Sequence, residues 1–149
     1  MSFAIDANIL LTAADREQPE HPAARAFLDR CLAGPELMYL TWDTVFAFVR
    51  IATNPRVFRT PLTQAEAEDA VAGLISIPHA RMLAEQDGFW DVYREVTRGA
   101  PVRGNLVTDA RLAALLRQNG VRTIYTRDAD FHRFKFLEVR NPFAGDSSS

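Results

Sequence analysis

Four aspartates stand at or beside the ends of short apolar stretches: Asp6 after Phe3-Ala4-Ile5, Asp109 near the start of a longer apolar-periodic segment, and Asp128 and Asp130 after Thr123-Ile124-Tyr125-Thr126. Carboxylates a few ångströms apart raise one another's pKa, so gathering several of them is unfavourable unless a cation comes with them. Mg2+ and Mn2+ are hard ions that prefer oxygen ligands and are commonly held by one or two carboxylates, waters and substrate phosphates. An ion held that way activates water and neutralises charge on a phosphodiester, so acids without Cys or His partners suit phosphoryl hydrolysis rather than zinc chemistry. Each acid also has a plainer role open to it. Asp6 can cap a helix, Asp109 can sit favourably in a helix's first turn, and Asp128 or Asp130 can brace the turn before Phe131. Pattern by itself leaves several metal-binding α/β folds open.

The elements that must position these acids follow from periodicity and punctuation. Phe3-Ala4-Ile5 reads as a buried strand that delivers Asp6 at its carboxyl end. Residues 20–33 carry Ala23, Ala24, Phe27, Leu28 and Leu32 at helical spacing and stop at Gly34-Pro35. Residues 37–41 form a second strand, and a helix over about 42–53 ends at Asn54-Pro55. Thr63 with Glu66 is a capping-box signature for a helix to about Ser76. Residues 79–83 read as a short strand and 85–97 as an amphipathic helix with Phe89, Trp90, Tyr93 and Val96 inward. Residues 106–118 form a helix closed by Asn119-Gly120, residues 122–126 a strand, and the region near 136–139 a last short strand. Strands alternating with helices predict an α/β fold, a parallel central sheet of four to five strands flanked by helices on both faces. Ligands in such folds bind beyond the carboxyl ends of the strands, where Asp6 and Asp128 fall.

With 149 residues, 48% of them apolar and 24% charged, the chain suits one domain, expected over 1–144, and a polar tail at 145–149 expected to be disordered. No apolar run reaches the length of a membrane span and the start lacks the features of a signal peptide, so a cytoplasmic location is expected. A lone Cys31 excludes an internal disulfide and offers no zinc-site spacing, so it is expected as a packed apolar residue. The net charge of −2 hides an asymmetry: from Arg98 to Arg140 there are nine Arg or Lys against four Asp or Glu. Those arginines either form a phosphate-binding surface or lie on solvated helix faces. His21, His79 and His132 form no ligand set and are expected at the surface.

Phe3-Ala4-Ile5-Asp6-Ala7-Asn8-Ile9-Leu10 resembles the first motif of PIN domains, a hydrophobic strand followed by Asp, any residue, then Asn or Ser. Gly104-Asn105-Leu106-Val107-Thr108-Asp109 with Ala110-Arg111-Leu112, then Thr126-Arg127-Asp128-Ala129-Asp130-Phe131, resembles the third and fourth motifs in order and spacing. Together with Arg50-Ile51-Ala52-Thr53-Asn54-Pro55 the pattern is similar to a VapC-type toxin subgroup and covers nearly the whole chain. The resemblance implies a PIN-like fold and a metal-dependent endoribonuclease that uses Mg2+ or Mn2+, acts on single-stranded or loop RNA, dimerises, and is inhibited by a small VapB-type antitoxin. By position it implies Asp6 and Asp109 as metal ligands, Asp128 as the fourth-motif acid, and Asn8, Thr126 and Asp130 as supporting groups. One element departs from the pattern. Most PIN nucleases carry a Glu early in the helix after the second strand, near Val45 or Ala47 here, yet residues 42–50 contain none. Asp43, the only carboxylate in that stretch, either substitutes with shorter reach or caps the helix, and we favour the cap.

Arg50, Arg56 and Arg59 flank that helix, and arginine's planar fork suits RNA phosphates. Trp42, Trp90 and the phenylalanines are expected in the core or at a dimer interface rather than stacked on bases. Two other readings stand beside the nuclease. The missing Glu motivates a catalytically weak or inactive PIN-like protein that binds RNA or a partner. A haloacid-dehalogenase-like phosphatase or a receiver domain also uses a strand-end Asp but needs a Lys, and the only one here, Lys135, lies beyond the last acid motif. The phosphatase also needs a second Asp at position 8, where this chain has Asn8.

Overall fold

Side chains alternate across a β-strand, and in this protein the alternation divides the core in two. The structure is a computed structural model describing residues 2–143, so the tail expected at 145–149 lies outside the described residues. Strands β1 (Ser2–Ile5), β2 (Leu37–Thr41), β3 (Ala80–Leu83), β4 (Thr123–Tyr125) and β5 (Glu138–Arg140) form one sheet in the order β3-β2-β1-β4-β5, every pair parallel. On one face Phe3, Ile5, Met38 and Leu40 pack against residues of helices α1 (Ala7–Ala14), α2 (His21–Ala33) and α3 (Trp42–Ala52). On the other, Ala4, Leu83 and Ile124 meet Ala113, Leu115 and Leu116 of α6 (Leu106–Gln118) and the aromatic pair Phe131 and Phe134. Helix α4 (Gln64–Ile75) packs beside α3, and α5 (Phe89–Arg98) packs on α6. Residues 3–5 are fully apolar because both faces of β1 are covered, as parallel sheets require.

Strand order reverses at β1: the chain builds outward to β2 and β3 on one side, then crosses to β4 and β5 on the other. The crevice between the carboxyl ends of β1 and β4 is therefore the topological switch point, the place where such sheets bind ligands.

Local signals account for most element ends. Thr63 accepts the Glu66 amide and the Glu66 carboxylate accepts the Thr63 amide, each at 3.1 Å, so the expected capping box starts α4. Gly120, at φ 71°, takes the left-handed turn that closes α6, a conformation that favours glycine. Thr63→Ala is expected to lower stability by about 1 kcal/mol, read as a lower urea midpoint at unchanged m value, because α4 loses one side of its reciprocal cap.

Several expectations are corrected. Helix α5 starts at Phe89, not near residue 85, because Arg111 holds the Glu85 carboxylate and the Gln118 side-chain oxygen accepts the Gln86 amide. Trp90 does not face inward. It is 67% exposed and stacks on Tyr93, one position round the helix from Phe89, Tyr93 and Val96, which do reach the core. Trp42 and Phe46 are likewise exposed, on α3. The last strand starts at Glu138 because the preceding residues turn, with the Leu137 amide donating to the Phe134 carbonyl. His132 is exposed, but His21 and His79 are half-buried, each with a ring nitrogen at hydrogen-bond distance from a backbone carbonyl, of Thr12 and Cys31 respectively. Cys31 is a buried free thiol, as expected.

Candidate active site

Thr41 decides how α3 begins. Its hydroxyl accepts the Thr44 amide at 3.1 Å and is the helix cap, so Asp43 is not. Asp43 instead pairs with Arg111 of α6 at 3.2 Å, and the same guanidinium holds Glu85 at 2.8 Å. Val45 is buried in the core and Ala47 half-buried, so the part of α3 where the resemblance expects a Glu contributes no carboxylate to the acids described next.

Asp6 ends β1 and caps α1, as its position after a strand allowed. One carboxylate oxygen accepts the Ala7 amide at 2.7 Å. The other accepts the Thr126 hydroxyl at 2.8 Å and the Asn8 side-chain amide at 3.3 Å. Thr126, 1% exposed just past β4, is the hub of this network: its oxygen also accepts from Asn8 at 3.1 Å and from the Asp128 amide at 3.0 Å. The two central strand ends are thus tied through one hydroxyl. Asn8 completes the link by accepting the Arg127 amide on its side-chain oxygen at 3.1 Å.

Asp128 caps a short 3-10 helix (Ala129–Arg133) by accepting the Asp130 amide at 2.9 Å, so the turn-bracing role and membership of the acid group coexist. Asp109, one turn into α6, meets Asp128 and Asp130 across the crevice. Oxygens of these three carboxylates lie within 4.8 Å of one another, spacing that suits a single cation. Burial raises the Asp109 pKa to about 6, and the charges of Asp128, Asp6 and Asp130 add to that, while Arg133 opposes it. Asp6 is also raised, by burial first and by Asp128 last, against the lowering effect of its hydrogen bonds to Thr126 and Ala7. The donor set is all oxygen, the kind that hard divalent cations prefer.

The sign of the Asp109 shift gives a pH prediction. A carboxyl raised from 3.8 to about 6 penalises the metal-free folded state once it ionises; the penalty is absent well below pH 3.8, grows between the two values and is complete above about pH 6. Asp109→Asn is therefore expected to stabilise the metal-free protein at pH 7 by on the order of 1 kcal/mol, after discounting for solvent screening, and by only a small part of that at pH 4. Thermal unfolding of both proteins in EDTA across that range checks it. A variant that is no more stable than wild type at pH 7 contradicts the shift.

Arg50 and Arg56 are exposed and make no ion pair among the described residues. Arg50 lies about 12 Å along α3 from the end that abuts the carboxyl edge. Arg59 pairs with Glu17. Most of the basic C-terminal third is likewise matched: Arg111, Arg117, Arg127, Arg133 and Arg140 each face a carboxylate. A cavity of about 520 Å³ between α1, α2, α3 and α4, lined by Leu10, Leu28, Phe48 and Leu74 among others, contains none of the acids.

The PIN-domain profile matches residues 3–137. The chain belongs to the PIN-domain family. Within the family it is 40% identical over 145 residues to ribonuclease VapC48 of Mycobacterium tuberculosis, covering 97% of this chain and 100% of that one. It is 32% identical to ribonuclease VapC43 of the same organism, with 96% and 97% covered. These relatives place this PIN domain among the VapC ribonucleases. The fold is shared with the crystal structure of M. tuberculosis VapC20, a sarcin-ricin-loop-cleaving toxin, at TM-score 0.67 and 18% identity, over 94% of this chain and 100% of that one. It is also shared with DNA-bound VapBC from Salmonella typhimurium at TM-score 0.64 and 15% identity, over 95% and 98%. No helix among the described residues is long and apolar enough to cross a membrane.

Proposed function

We propose that this protein is a metal-dependent endoribonuclease that hydrolyses RNA phosphodiester bonds and serves as the toxin of a toxin–antitoxin pair. The observation that carries the reading is the convergence of Asp109, Asp128 and Asp130 within 4.8 Å at the switch point of the sheet, in a chain related along its length to VapC ribonucleases. Asp109 and Asp128, with Asp130 beside them, would hold Mg2+ or Mn2+. Asp6, coupled to Asp128 and Asp109, adds a fourth negative charge at the same edge. When bound, the cation supplies Lewis acidity toward a water and a phosphate oxygen.

The chain's own residues supply position and field. Thr126 and Asn8 fix the Asp6 carboxylate, and the Asp130 amide fixes one oxygen of Asp128, so these acids do not turn to follow solvent. Above about pH 6 Asp109 is ionised and adds its charge to the site. A cation then relieves the mutual repulsion, which also gives the protein a reason to bind one. RNA is the substrate in this reading, a small VapB-type antitoxin the inhibitor, and the exposed Trp42, Phe46 and Trp90 support the homodimer.

Cleavage of total RNA by purified, antitoxin-free protein tests the reading. Discrete products with Mg2+ or Mn2+, lost in EDTA and restored by excess cation, are expected. The one carboxylate of α3, Asp43, is held by Arg111 and does not join the acid group, which favours a second reading, a weak or inactive PIN-like binder. Binding of RNA by folded protein with no metal-dependent turnover on any RNA class would establish that reading in place of the first.

A further inference from the structure

We propose that Arg127 is a positioning residue that locks the acid-bearing loop after β4 onto the α1–α2 corner, a role resting on the nuclease reading above. Arg127 stands between Thr126 and Asp128, yet its side chain runs away from the acids. Its guanidinium donates to the Thr12 hydroxyl at 3.1 Å and pairs with Glu20 at 3.3 Å, and it lies over the Phe143 ring, 5.5 Å from the centroid. Thr12 belongs to α1 and Glu20 is the residue just before α2, so one side chain spans both helices.

The contacts close a ring. The Thr12 hydroxyl that accepts from Arg127 donates in turn to the Asn8 carbonyl at 2.8 Å. The Asn8 side-chain oxygen accepts the Arg127 backbone amide, which leaves the Asn8 amide nitrogen to donate to Asp6 and Thr126. An asparagine amide can be turned either way, and the Arg127 amide as donor and the Asp6 carboxylate as acceptor agree on which way it faces. Arg127 thus reaches Asn8 by two routes, through its own backbone and through Thr12, and Asn8 reaches Asp6. The guanidinium charge is matched by Glu20, so Arg127 acts by holding geometry rather than by attracting phosphate.

Glu20 makes the two roles separable, because an RNA-binding arginine gains nothing from a neighbouring carboxylate, whereas a clamp needs it. Arg127→Met and Glu20→Gln are both expected to lower kcat, the first by about tenfold, with KM for RNA within about twofold of wild type. Arg127→Lys, which keeps the charge but cannot fork to both partners, is expected to restore part of the loss. Hydrogen exchange of the Asp128 and Asp130 amides in metal-free protein is expected to quicken by about tenfold in Arg127→Met, while α6 amides keep their protection.

A raised KM at unchanged kcat, or a Glu20→Gln variant that cleaves better than wild type, would overturn the proposal in favour of an RNA contact. Unchanged exchange at Asp128 and Asp130 would overturn it too. If the wild type neither binds Mn2+ nor cleaves RNA, the nuclease reading fails instead. The exchange measurement then decides the clamp on its own, faster exchange retaining it and unchanged exchange ending it.

Discussion

Asp109→Asn and Asp128→Asn are each expected to lower kcat/KM for metal-dependent RNA cleavage by on the order of 10³, about 4 kcal/mol of transition-state stabilisation. Asn matches Asp in shape, so what each variant loses is a charge and an ionic ligand, at a place where three carboxylates converge. At Asp109 the folded protein gains stability in the metal-free state, because the charge removed there is the one burial and neighbouring acids penalise. A drop in activity joined to a rise in metal-free stability is the combination that distinguishes a cation site from a structural acid. Asp130→Asn is expected to do less, about tenfold, since Asp130 is exposed and faces Arg133 at 3.7 Å. Turnover within tenfold of wild type in both Asp109→Asn and Asp128→Asn, still abolished by EDTA, would show that the cation sits elsewhere.

Thr126→Val is expected to carry the second-largest effect. Valine fills the same volume but brings no hydroxyl, and the site loses one donor to Asp6 and one acceptor for Asn8 and for the Asp128 amide. Buried polar groups left without partners destabilise by about 1–3 kcal/mol, and Thr126 is 1% exposed, so a loss of about 2 kcal/mol is expected. For a domain of this size that corresponds to a melting temperature lower by roughly 4–8 °C. Freed from Thr126, Asp6 and Asp128 no longer share one anchor, and cleavage is expected to fall by about 10². Thr126→Ser keeps the hydroxyl and is expected to retain most of both properties. A valine variant with wild-type melting temperature and rate would remove Thr126 from any role at the site.

The helices, strands and caps were largely written in local sequence. Apolar spacing, the Thr63–Glu66 box and the glycine after Asn119 report on a few neighbouring residues and need no knowledge of the rest of the chain. The resemblance, carried by Asp6, Asp109 and the Thr126–Asp130 stretch, gave the family. Residue type alone could not assign Asp43. Its freedom to cap α3 depended on whether Thr41 already did so, and its carboxylate was claimed by Arg111, 68 positions away in the chain and adjacent only after α6 docks.

The start of α5 was hidden for the same reason, since Arg111 and Gln118 hold residues 85 and 86 against their local helical preference. The inward reading of Trp90 failed because a broad apolar stripe does not say which of two neighbouring aromatics meets the core. Sequence by itself determined which side chains can do chemistry and which segments carry them. Only the tertiary structure decided which of them meet, because sheet order brings the ends of β1 and β4 together across more than a hundred residues, and no local pattern encodes a contact of that range.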